Sequence, residues 1–176
     1  MGKMLNLLRE GDHRTTGQVA DAVRLCIADS RHIDELVDLM SYSNPAVRMR
    51  AADALEKATA QRPDLLMRHK DYLLDLIEEA SQNEVRWHLA QMITRLELEA
   101  HEIDDLALIF TKWFERVDSR IVRTSALQGM ADLAHKDAGL IDTALKMTER
   151  ALVSSIPALK ARARKIKGPL ERLKPD

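Results

Sequence analysis

Cysteine is almost missing: Cys26 is the one thiol in 176 residues, so no disulfide can form within the chain. Cys26 falls in the helical stripe Val19, Ala22, Val23, Cys26 and reads as a small buried hydrophobe. Aromatic residues make up only 3% of the chain, and β-branched strand formers are sparse beside abundant Ala, Leu and Met. Six glycines and five prolines are too few turn residues for an all-β chain of this length. No apolar run approaches the 18 residues a membrane helix needs. The segment Met1 to Glu10 lacks the long apolar stretch and small-residue cleavage site of a signal peptide. The formal net charge of −1 excludes a polyanion binder by bulk charge and an acidic tail. These absences point to an all-α, disulfide-free protein of a reducing, cytoplasmic compartment, with no membrane partner.

What the chain does contain is a repeat. Four segments align without gaps, at Pro45 to Leu55, Asn83 to Ile93, Arg120 to Met130 and Pro157 to Lys167. Their anchors Val47, Val85, Val122 and Leu159 are spaced by 38, 37 and 37 residues. A cation follows each anchor (Arg48, Arg86, Arg123, Lys160), and Ala51, Leu89, Ala126 and Ala163 stand four residues on. Upstream of each anchor an apolar residue (Leu39, Ile77, Phe114, Ala151) closes a first helix. Between the two helices lie Ser43-Asn44-Pro45, Ser81-Gln82-Asn83, Asp118-Ser119 and Ser155-Ile156-Pro157, where Ser, Asn or Asp can cap and Pro fits the first turn. The helix interiors read as free of proline.

A helix pair whose second helix opens Val-Arg and continues rich in Ala resembles the HEAT repeat, within the armadillo-like helical class, and the likeness covers roughly residues 32–173. It is also similar to small bacterial HEAT proteins without an assigned activity. The resemblance implies a right-handed α-α superhelix of about four helix pairs in one domain over 1–176. The repeats would be 32–62, 63–100, 101–137 and 138–176, behind capping helices in 1–31 (Met4 to Glu10 and Gly17 to Asp29, with Gly11 to Thr16 a loop). Five and eight residues past the anchor, apolar residues turn into Arg164 and Lys167 in the last repeat, as a solvent-facing cap requires.

The resemblance also implies that the second helices line a concave side. At 100° per residue the ridge opposite the core is Met49, Asp53, Glu56, then Trp87, Gln91, Thr94, then Thr124, Gln128, Ala131, then Ala161, Lys165, Gly168. Arg50, His88, Ser125 and Arg162 flank it. Trp and Met among amides and cations suit a partner anchor; alternatively Trp87 folds over a neighbouring loop. The partner-binding set is therefore Met49, Arg50, Asp53, Trp87, His88, Gln91, Thr124 and Gln128. First helices are acidic, whereas residues 157–174 hold seven cations against Glu171 alone. A polyanion site would use Lys160, Arg162, Arg164 and Lys165; a solvated cap is the plainer alternative. The Arg48, Arg86, Arg123, Lys160 ladder reads as hydrogen bonding between elements.

Catalytic patterns are thin. The six histidines include no pair at helical metal-ligand spacing, and the Cys26 thiol has no adjacent base. Di-iron HEAT enzymes repeat a His-Glu dipeptide; this chain has only His101-Glu102. HEAT-like DNA glycosylases set an aromatic, an Asp and an Arg on the concave face, which Trp87, Asp53 and Arg50 could mimic, although no motif matches residue by residue. The sequence thus reads as a non-catalytic scaffold for a protein or peptide, without cofactor or metal. Nucleic acid is the alternative partner, and a glycosylase is third.

Overall fold

The computed structural model describes residues 2–10 and 18–174. The helices in chain order are α1 (Lys3–Arg9), α2 (Val19–Ala28), α3 (Arg31–Leu39), α4 (Pro45–Gln61), α5 (Lys70–Glu79), α6 (Asn83–Met92), α7 (Ala100–Arg116), α8 (Arg120–Ala134), α9 (Ile141–Leu152) and α10 (Pro157–Glu171). Short 3-10 turns run through Pro63–His69, Ile93–Arg95 and Ala138–Leu140. No strand occurs among the described residues, and none of their helices is long and apolar enough to cross a membrane. The loop read at Gly11 to Thr16, and Gly17 with it, lies outside the described residues.

The repeat register has a local physical basis. Each anchor is the third residue of its helix: Val47 in α4, Val85 in α6, Val122 in α8 and Leu159 in α10. All four are buried. Asn44 caps α4, its Oδ1 accepting from the Ala46 amide at 2.9 Å with Pro45 at the first helical position. Ser119 caps α8 by accepting from Val122 N. The cation after the anchor then reaches back to carbonyls at the end of the preceding helix or in the turn that follows it, which have no helical partner. Arg48 donates to the carbonyls of Tyr42 (2.8 Å) and Ser43 (3.0 Å) and to Gln82 Oε1 (2.8 Å). Arg86 donates to Ala80 O at 2.6 Å, and Arg123 to Phe114 O at 2.8 Å. One Val-Arg dipeptide therefore buries an apolar side chain and staples the turn between two helices.

The helices group by contact into two units, Met1–Leu96 and Glu97–Asp176. In the first, α4 is the hub and packs on α1, α2, α3 and α6. Leu8, Ile33, Leu36, Leu55, Leu66, Leu73 and Ile77 fill its interior. Cys26 is fully buried there, and burial, with Glu35 adding, pushes its thiol up to about 12.

In the second unit α8 packs on α7, α9 and α10. Phe110, Trp113 and Phe114 are buried against these helices. Gly129 makes the α7–α8 approach possible, since a Cβ there would stand 2.6 Å from the Phe110 ring. Arg123 and Arg150 lie over the Phe114 ring at 5.7 and 5.4 Å, and Arg150 also pairs with Glu115 at 2.6 Å. The proline-free reading of the helix interiors fails in this unit: α10 contains Pro169. The missing amide there would have bonded to the carbonyl of Lys165, an exposed residue where water can replace it, so α10 runs on to Glu171.

Candidate functional site

In the N-terminal unit α4 and α6 lie side by side, and their predicted ridge residues divide into a floor and a rim. The floor comes from positions expected to face solvent. Arg50 is 1% exposed and donates from Nη1 to Leu8 O at 2.8 Å, at the end of α1. It is not an exposed flank, because α1 packs on α4 and its terminal carbonyl needs a donor. Asp53 is also buried, at 9%, with its carboxylate gripped by Lys57 Nζ at 2.8 and 2.9 Å. Thr94 and His88 are buried as well, each at 8%. A wheel drawn on one helix could not register the neighbours that cover these positions.

His88 carries the strongest electrostatic signature. Its Nε2 lies 4.0 Å from Asp53 Oδ1, too far for a hydrogen bond, and its buried Nδ1 has no hydrogen-bond partner. Burial pulls the imidazole down to about 4, against the carboxylates of Asp53 and Glu56. The ring is therefore neutral at pH 7, a buried base with an idle nitrogen.

The rim lies on the same two helices. Trp87 is half-buried and meets the His88 ring edge-on, with centroids 5.4 Å apart and planes at 68°. Gln91 is exposed, one turn further along, and donates to Trp87 O at 3.2 Å. Met49 is half-buried and lines a cleft of about 290 Å³ with Arg48, Gln82 and Glu84. Glu56 and Lys57 border a wider groove of about 540 Å³ whose other walls include Val19, Ala20 and Val23 of α2.

The ridge reading missed Arg95. It forms a salt bridge to Glu56 and donates to Glu56 O (2.9 Å) and Thr59 Oγ1 (3.2 Å). Its signal in the sequence was a spacing of 39 from Glu56, close to the repeat period.

In the C-terminal unit the ridge positions behave differently. Thr124 is half-buried and bonds back to Arg120 O at 2.8 Å. Gln128 is half-buried between Asp132, to which it donates at 2.6 Å, and Arg162, from which it accepts at 3.0 Å. Ala131 is buried, not on a solvent ridge, because α8 is enclosed by α7, α9 and α10. Of the basic set, Arg164 and Lys165 are exposed and Lys160 is half-buried; Arg162 is turned to Gln128.

Among the described residues no three His, Cys, Asp or Glu side chains gather where they could hold a metal ion. The trio Trp87, Asp53 and Arg50 shares one region, but only Trp87 has much accessible surface. Compared with known proteins, the chain matches no protein-family model, no curated protein and no solved structure.

Proposed function

We propose that the chain is a HEAT-type recognition scaffold, a right-handed superhelix of helix pairs that acts without catalysis in the cytoplasm. Its ligand is another protein or a peptide segment, seated on the α4 and α6 face. The observation that carries this reading is Trp87: a large, half-covered indole that meets the buried His88 ring edge-on. Such a side chain anchors a partner with little ordering cost. Met49 and Gln91 supply an adaptable apolar contact and an amide beside it. Asp53 and His88 act as the floor that holds this rim. The repeat register and the Arg48, Arg86 and Arg123 back-bonds support the superhelical reading. Thr124 and Gln128 are the corresponding positions of the C-terminal unit.

A glycosylase reading is weaker, because Arg50 is committed to Leu8 O and buried. Peptides selected on the immobilised protein from a displayed library test the proposal. Trp87→Ala should weaken the selected peptides by about 30-fold, the cost of losing an aromatic anchor. Peptides that bind Trp87→Ala as tightly as the parent chain would place recognition elsewhere.

A further inference from the structure

A separate surface lies on α10, the most basic helix. Three of its region's seven cations are engaged: Lys167 with Glu171 at 3.7 Å, Lys174 with Asp142 at 3.1 Å, and Arg162 with Gln128. Lys160, Arg164, Lys165 and Arg172 make no ion pair among the described residues. Arg164, Lys165 and Arg172 are exposed, and Lys160 is half-exposed. They occupy one side of α10 and its C-cap, and the twelve steps from Lys160 to Arg172 span about 18 Å. The Arg172 guanidinium folds back over Gly168, with Nη1 3.5 Å from where a Cβ would stand.

We infer that this face of α10 binds the phosphate backbone of a nucleic-acid duplex. Three features select that ligand. The stripe is a row of cations without a carboxylate partner, which suits a row of phosphates. The exposed α10 positions without a cation are Pro157, Ala158, Ala161 and Glu171, the last paired with Lys167 at 3.7 Å, so no large apolar or aromatic group is present to anchor a protein partner. The three aromatic residues of the C-terminal unit, Phe110, Trp113 and Phe114, are all buried, so no ring is free to stack on the bases of a single strand. What remains is backbone contact without base readout. The surface is independent of Trp87, which belongs to the other unit.

The test is fluorescence anisotropy with labelled duplexes of DNA and of RNA, the matching single strand, and polyglutamate as competitor. Neutralising four phosphates gives a salt slope of about −3.6, so affinity should fall about 150-fold between 50 and 200 mM salt. Arg164→Gln with Lys165→Gln should halve that slope. Arg164→Lys with Lys165→Arg, which keeps both charges, should restore it. Lys146→Gln on α9 and Trp87→Ala should leave binding unchanged, so that this inference and the peptide proposal fail separately. Binding of either duplex supports the inference, and the ratio of the two affinities identifies DNA or RNA. The inference is overturned by no binding at 50 mM salt, by indifference to the double neutralisation, by tighter binding of the single strand, or by competition from polyglutamate at equal charge.

Discussion

Acid should weaken the N-terminal unit through His88. In the unfolded chain this imidazole titrates near its ordinary 6.5; in the fold burial lowers it to about 4. Between those values the unfolded state binds the extra proton and the native state does not. Stability is therefore complete above about pH 6.5, falls as pH drops through the window, and levels off below about pH 4. The two pKa values give a loss of about 2 kcal/mol by pH 5 and about 3 kcal/mol once the window is crossed. The side chain is only 10% exposed, so solvent screening removes little of this. Carboxylates titrate over an overlapping range, so the assay needs a reference that keeps them. His88→Gln fills similar volume, stays neutral and leaves every carboxylate in place. Urea unfolding of both proteins at pH 7, 6 and 5 isolates the histidine as the difference between their slopes. The parent chain should lose about 2 kcal/mol more than the variant between pH 7 and 5. Parallel losses would refute the reasoning, and would mean that His88 gains a partner or water when protonated.

Gly129→Ala should destabilise the C-terminal unit by about 1–3 kcal/mol in a denaturation curve, although Ala favours helix, because the added methyl meets the buried Phe110 ring at 2.6 Å; Phe110→Leu in the same chain should recover part of the loss. Arg123→Met should cost about 1–3 kcal/mol by leaving the Phe114 carbonyl short of its donor. Lys160→Met, at the same repeat position without such a bond, should change stability by less than about 0.5 kcal/mol. Cys26, fully buried with its thiol raised to about 12, should resist a disulfide reagent at neutral pH until denaturant is added.

Much of the architecture was legible in the sequence because the repeat is a local signal. Val47, Val85, Val122 and Leu159 each mark the same third residue of a helix, and the cation that follows has a job in three of the four cases. The stripe around Cys26 named a buried face for the same reason. Burial of the ridge was not legible. Arg50 faces α1, a contact 42 residues away in sequence, and nothing in the α4 pattern announces it. Asp53 and His88 looked like solvent positions because each was placed on its own helix, while their exposure is settled by the neighbours of α4 and α6. Pro169 is not legible as an interior residue, since the repeat likeness ends near it and α10 continues only two residues past it. Arg95 fell outside every ridge position and emerged only from its distance to Glu56.

The proposed function requires a partner seated on Trp87. Isothermal titration of one library-selected peptide into the parent chain, Trp87→Ala and Arg164→Gln/Lys165→Gln measures it most directly. The Trp87 variant should lose about 30-fold in affinity while the α10 variant keeps the parent value. An unchanged Kd for Trp87→Ala, with the chain still folded, would contradict it.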